Sequence, residues 1–190
     1  MVIAILCLQG AFIEHQRMLQ KLGIETVEIR KKDDLTDKID GLVLPGGEST
    51  SMAKLLHDLE LFKPIQKMIM DGLPTFGTCA GMILMAKTIK NTSQFHFQTM
   101  DIEVMRNGYG RQSASFQTES FFANEMIPQI FIRAPYIEKV GTAVEILSTV
   151  NNKIVAAKQN NQLVTAFHPE LSENTFVHQF FINMIKNKDL

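Results

Sequence analysis

Tryptophan is absent from the 190 residues, cysteine occurs only at positions 7 and 79, and proline only 6 times. Two cysteines cannot staple a chain of this size into the dense disulfide framework of a small secreted domain, so a reducing, cytoplasmic setting is expected. Nor do they create a Cys/His spacing suited to a metal, and neither a metal nor a cofactor is expected. No apolar run approaches membrane-spanning length. The apolar start, Val2 to Leu8, has no preceding Lys or Arg and runs into Gln9-Gly10 rather than a small-residue cleavage site, which argues against a targeting segment. Excess charge is missing too: a formal net charge of -1 offers no footprint for nucleic acid. The one basic run, Arg30-Lys31-Lys32, is followed at once by Asp33-Asp34 and reads as a solvated turn. What is present is globular, with 45% hydrophobic and 21% charged residues, and the 11 methionines suit adaptable core filling. The length suits one well-buried core, and one domain over residues 1–190 is expected.

The order of elements predicts an α/β fold. Val2 to Leu8 is continuously apolar, as in a parallel strand covered on both faces. Phe12, Met18, Leu19 and Leu22 share one side of a helix that Gly23 is placed to stop. Ile24 to Ile29 and Gly41 to Leu44 read as further strands. Helices near Met52 to His57 and Phe62 to Met70 lead to a strand at Pro74 to Phe76, and a helix is expected from Ala80 to Lys87. Beyond a polar stretch, short strands are expected at Asp101 to Met105, Ser115 to Phe121, Ile130 to Arg133, Val144 to Leu147, Ile154 to Lys158 and Leu163 to Phe167. Such a run favours antiparallel pairing. A closing helix spans Ser172 to Lys186. The expected architecture is a central, mostly parallel sheet flanked by helices in three layers, flavodoxin-like, with antiparallel strands in the C-terminal half.

Three motifs carry chemistry. Gly77-Thr78-Cys79-Ala80-Gly81 frames a cysteine with glycines at a strand-to-helix turn, where other side chains would collide. Alone, this is equally a buried structural cysteine beside a tight turn. Phe167-His168-Pro169-Glu170-Leu171 changes the balance, because it puts an imidazole and a carboxylate two residues apart at a strand end. In extended chain such residues point to the same side. His168 can then serve Cys79 as base while Glu170 fixes its tautomer, the logic of a nucleophile, base and orienter. The third motif, Leu44-Pro45-Gly46-Gly47-Glu48-Ser49-Thr50, lacks the Gly-Lys-Ser/Thr ending of a phosphate loop. It reads either as a tight turn with Ser49 or Ser51 as helix cap or, beside Cys79, as an oxyanion hole with backbone N–H donors near Gly47 and at Ala80. Arg106 and Arg133 could each fork onto a carboxylate or lie solvated at the surface. The remaining histidines, His15, His57, His96 and His178, have no comparable setting, and Cys7 reads as inert core.

Together these motifs resemble the class I, triad-type glutamine amidotransferases, and more closely the glutaminase subunits of pyridoxal 5'-phosphate synthases. The resemblance runs almost end to end. It includes Leu8-Gln9-Gly10-Ala11 with Glu14-His15, the Gly-Gly-Glu-Ser-Thr loop, Arg106-Asn107 with Gly110-Arg111-Gln112, and Phe131-Ile132-Arg133-Ala134-Pro135. It implies L-glutamine as substrate, Cys79 as nucleophile, His168 as base and Glu170 as orienter. Gly47, Glu48, Ser49, Arg106, Ile132 and Arg133 would contribute to substrate binding. It also implies a barrel-shaped synthase partner that receives ammonia and builds pyridoxal 5'-phosphate from a pentose phosphate and a triose phosphate. Met105 and Gly108 depart from the usual pattern, where a charged residue and a small side chain are common. Two other readings stand beside it: the ammonia-donating subunit of another synthase, such as imidazole glycerol phosphate synthase, and a non-catalytic thiol sensor with Cys79 as oxidation switch.

Overall fold

The computed structural model describes residues 1–90, 95–106, 108 and 115–187. Asn107, Gly110, Arg111 and Gln112 of the arginine segment lie outside the described residues. The chain begins as expected, with β1 (Val2–Leu6), α1 (Phe12–Lys21), β2 (Glu25–Ile29), β3 (Gly41–Leu44), α2 (Ser49–Asp58), α3 (Phe62–Met70) and β4 (Thr75–Thr78). Next come α4 (Ala80–Met85), β5 (Ala86–Ile89), β6 (Met100–Met105), β7 (Ser115–Phe122), β8 (Glu125–Ile132), β9 (Tyr136–Val140), β10 (Glu145–Val150), β11 (Lys153–Gln159), β12 (Gln162–Thr165) and α5 (Phe176–Asn187).

The main sheet runs β2-β1-β3-β4-β12-β11-β9-β6-β5, with β10 also on β11, while β7 and β8 form a separate hairpin. From β2 to β12 every pairing is parallel. This is the buried half: β1, β3 and β4 carry runs without an exposed residue from Ile3 to Leu6, Gly41 to Leu44 and Thr75 to Thr78, the composition a sheet needs when helices cover both faces. From β12 outward the pairings through β11, β9 and β6 are antiparallel, and β5 closes the edge parallel to β6. The α/β architecture with antiparallel strands in its C-terminal half is therefore seen, and no helix of the described residues is long and apolar enough to cross a membrane.

Three departures from the sequence reading stand out. The helix expected over Ala80 to Lys87 ends at Met85, where Ala86 turns to φ -55, ψ 144 and starts β5 on Met100. Strand pairing with a distant segment overrides the helix propensity of that stretch. The strand at Ile130 to Arg133 is longer, Glu125–Ile132, and contains Pro128 opposite Glu119. A two-stranded hairpin leaves one side of each strand unpaired, so a missing N–H is tolerated there. β9, which follows Pro135, was not expected. Strand β12 joins the two halves, antiparallel to β11 on one side and parallel to β4 on the other.

Two glycines set how closely the elements approach at the C-terminal ends of the parallel strands. A Cβ on Gly81 would fall on the Leu44 carbonyl oxygen, and one on Gly77 would lie 2.7 Å from the Gly81 carbonyl carbon. Strand β3, strand β4 and helix α4 therefore meet backbone to backbone. Replacing Gly81 by Ala is expected to cost about 1–3 kcal/mol through overpacking, because backbone cannot swing aside as a side chain can. Thermal denaturation of the variant measures this, and an unchanged melting temperature would contradict the close approach.

Candidate active site

Cys79 sits between β4 and α4 with φ 48 and ψ -97, a conformation that non-glycine residues rarely adopt. Such strain costs of order 1–3 kcal/mol and persists only where surrounding structure enforces it. The enforcement is visible. The Cys79 N–H donates to the Thr165 carbonyl at 2.7 Å, its carbonyl accepts from Ile83 N–H at 3.2 Å, and the two flanking glycines let the turn close. Helix α4 is shorter than expected, so the sulfur is presented by the elbow more than by a long helix dipole. Cys7, by contrast, lies buried at the end of β1 with its thiol pushed up to about 11 by burial and by Glu28, which leaves it unreactive.

His168 arrives from the neighbouring strand. In the β12–β4 register Thr165 stands opposite Thr78, so the chain segments beyond both residues leave the sheet side by side. The His168 N–H donates to the Ile130 carbonyl of β8 at 2.8 Å, which fixes the backbone on its other side. Its Nδ1 lies 2.7 Å from Glu170 Oε1, and its ring lies together with the Cys79 side chain against Gly46. Burial opposes a charged imidazole here, but the neighbouring Cys79 and Glu170 outweigh it and raise His168 to about 10. The contact with Glu170 does not come from extended chain, as the spacing suggested. Pro169–Leu171 is a 3-10 turn, and that turn brings the carboxylate back under the ring. Burial alone would raise the Glu170 carboxyl; His15 and His168 on either side more than offset it and hold it below its usual range.

The glycine loop lies against the same pair. A Cβ on Gly46 would fall on the His168 ring, and one on Gly10, at φ +97, would fall on the Gly46 carbonyl oxygen. That carbonyl accepts from the Ala11 N–H at 3.1 Å. The Gly46–Gly47 peptide is trans, so the Gly47 N–H faces the other way, away from Ala11. Ala80, the other expected donor, is the first residue of α4, where backbone N–H groups have no partner within the helix. Glu48, not Ser49 or Ser51, caps α2: its carboxylate accepts from Thr50 N–H at 3.1 Å and Ser51 N–H at 2.7 Å. Partial burial works the other way, but these bonds keep Glu48 below its ordinary value. Its own N–H is held by Gln9 Oε1 at 2.7 Å, and Arg106 approaches its carboxylate at 3.6 Å.

These groups surround one cavity of about 440 Å³, lined among others by Cys79 and His168, Gly46 to Ser49, and Arg106, Ile132 and Arg133. Arg133 is also at positive φ, 44. Of the expected site residues, only Ala80 and Glu170 do not line the cavity, Ala80 lying directly after the cysteine and Glu170 behind His168. A cysteine beside an imidazole that a buried carboxylate holds, at a cavity also lined by two arginines and a glutamate, suits acyl transfer from a small zwitterionic substrate.

A family model described as the SNO glutamine amidotransferase family matches residues 5–187. The chain belongs to that family. It is 54% identical over 192 residues, 99% of this chain and all of its relative, to the "Pyridoxal 5'-phosphate synthase subunit PdxT" of Streptococcus pneumoniae strain ATCC 700669 / Spain 23F-1. A solved structure described as a glutamine amidotransferase superposes with a TM-score of 0.92 at 36% identity, covering 98% of this chain and all of that one. A protein from Thermoplasma acidophilum described as a putative GMP synthase subunit shares the fold, with a TM-score of 0.72 at 18% identity over 100% of this chain and 96% of its own.

Within this family member the cavity is also lined by residues to which the sequence reading assigned no role: Gln9, Gly10, Ala11 and Leu171 from the motifs, and Ile83 from α4. His15 and His178, set aside on sequence, are buried next to Glu170, with His15 Nε2 3.5 Å from Glu170 Oε2 and His15 Nδ1 2.9 Å from His178 Nε2. Only the Glu14-His15 pair in the resemblance offered a signal, and nothing local marked His178. Gly108, the other departure, is explained: a Cβ there would fall on the Tyr136 ring.

Burial lowers both of these imidazoles, His178 to about 3, so each is neutral in the folded chain at neutral pH. As pH falls through 6.5 the unfolded chain takes up protons that the folded one refuses, and stability drops. His168 has the opposite sign. Its contribution is complete below 6.5 and is lost as pH rises through about 10. The melting temperature is therefore expected to peak near neutral pH and fall on both sides. His178→Phe should flatten the acid side and spare the alkaline one; an acid limb as steep as that of the unchanged chain would contradict a neutral, buried His178.

Proposed function

We propose that this chain hydrolyses L-glutamine to L-glutamate and ammonia, and passes the ammonia to a barrel-shaped synthase subunit that makes pyridoxal 5'-phosphate. The observation that carries the reading is Cys79 at a strained elbow, beside a His168–Glu170 pair, in a chain with full-length relatives bearing the name of that synthase's subunit. The Cys79 sulfur attacks the side-chain carboxamide carbon, and the carbonyl electron pair moves onto oxygen. N–H groups of Gly47 and Ala80 receive that charge. On collapse the C–N bond breaks and nitrogen leaves as ammonia with a proton from His168. Water then adds to the γ-glutamyl thioester with His168 as base, which releases glutamate and restores the thiol. Glu170 orients the ring and stabilises its charged form throughout.

Substrate binding uses the rest of the cavity. Arg106 and Arg133 suit the α-carboxylate, Glu48 the α-ammonium, and Ser49 and Ile132 the body of the substrate. One domain over residues 1–190 suffices, because the reacting groups come from adjacent strand ends, as is usual for sites on parallel sheets. A cytoplasmic setting keeps the nucleophile reduced.

Glutamate release, measured with and without the pyridoxal 5'-phosphate synthase subunit, tests the assignment. Cys79→Ala is expected to abolish turnover, and substantial residual activity would remove Cys79 from its role. Arg133→Ala or Arg106→Ala should raise KM with less effect on kcat, and an unchanged KM in both would count against the carboxylate site. Activation by an imidazole glycerol phosphate synthase subunit instead would redirect the ammonia.

A further inference from the structure

Behind the reacting groups the chain of polar contacts continues. His15 Nε2 lies 3.1 Å from Thr78 Oγ1 and 3.5 Å from Glu170 Oε2, while His15 Nδ1 lies 2.9 Å from His178 Nε2. All four residues are buried, and the Phe76 ring packs edge-on against both imidazoles. Glu170 Oε2 and His178 Nδ1 have no hydrogen-bond partner among the described residues. These facts determine the tautomers. A buried N–H without an acceptor is rarer and costlier than a bare ring nitrogen, so His178 leaves Nδ1 bare and carries its proton on Nε2. That proton goes to His15 Nδ1, and His15 must then be protonated on Nε2. The alternative would aim a nitrogen lone pair at a carboxylate oxygen.

We propose that His15, locked in its Nε2–H tautomer by His178, is a positioning residue for the triad. It steadies the outer oxygen of Glu170 so that the inner oxygen stays on His168, and through Thr78 it ties the carboxylate to the strand end that presents Cys79. This rests on the reading that Cys79, His168 and Glu170 hydrolyse glutamine. At 3.5 Å the approach to Glu170 is a charge–dipole contact rather than a full hydrogen bond, which suits a group that steers without taking the proton. The charged and titratable groups around His15 are Glu170, His168, His178 and Glu14 of its own helix; burial outweighs the two carboxylates and keeps the ring neutral.

Side-chain length separates this role from simple packing. A glutamine amide nitrogen reaches the place of histidine Nε2, whereas an asparagine amide reaches only that of Nδ1. With the synthase subunit present, His15→Asn is expected to lower kcat about tenfold or more, the usual scale for such supporting groups. Its KM should stay within about twofold, since neither His15 nor Glu170 lines the cavity. His15→Gln should restore kcat to within about threefold of the unchanged chain. Equal losses in both variants would overturn the proposal. Nitrogen-15 NMR of the imidazoles in the unchanged chain should show Nε2–H, Nδ1-bare rings for His15 and His178; Nδ1–H or a doubly protonated His15 would overturn it without any assay. If His15→Asn fails to fold, the imidazole spectrum of the unchanged chain decides alone, and an Nδ1–H at either His15 or His178 would refute the lock. An unchanged chain that releases no glutamate even with the synthase subunit would instead sink the functional reading, and the tautomers would still decide the geometry.

Discussion

The site depends on one pairing, that of β12 against β4 in a register that places Thr165 opposite Thr78. The bond from the Cys79 N–H to the Thr165 carbonyl extends that ladder by one residue, just where the chain enters a conformation it would otherwise avoid. A slip of one residue in this register would turn the side chains of the strand to the opposite face and separate sulfur from imidazole. The glycines at 77 and 81 matter for the same reason: they let β3, β4 and α4 close around the elbow, so its strain is borne by backbone packing rather than by the side chains of the site.

Charge follows from that geometry. Glu170 is buried, and a carboxylate in an apolar interior needs partners or it will bind a proton. His168 supplies one directly, and His15 stands on the other side. Because His15 and His178 are too deeply buried to charge, the interior holds one carboxylate and one imidazolium rather than several competing cations. This polar chain replaces apolar packing with contacts of low tolerance, where one lost partner leaves a group unsatisfied.

The parts legible in sequence were those whose chemistry is local. A cysteine between glycines and a His-Pro-Glu at a strand end carry their meaning in a few residues, and the apolar runs of β1 and β3 announce a doubly covered sheet. Even there the local reason was incomplete, because Glu170 meets His168 through a 3-10 turn and not through extended chain. Features that depend on distant partners were hidden. Ala86 to Ile89 leaves the helix for a strand because Met100 to Val104 is there to pair with it. His15 and His178 stand 163 positions apart, and no pattern within either helix foretells their contact. Glu48 had been given to the substrate while its neighbouring serines were offered as caps; it is the cap itself, and it lines the cavity as well.

The claim on which all else rests is that Cys79 bonds to the substrate. Acid-quenching the chain during turnover with glutamine, followed by peptide mass mapping, tests it most directly. A γ-glutamyl increment on the peptide containing Cys79, with Cys7 unmodified, is the predicted result. Glutamate released with no adduct at any time point, or with the adduct on another residue, would contradict it.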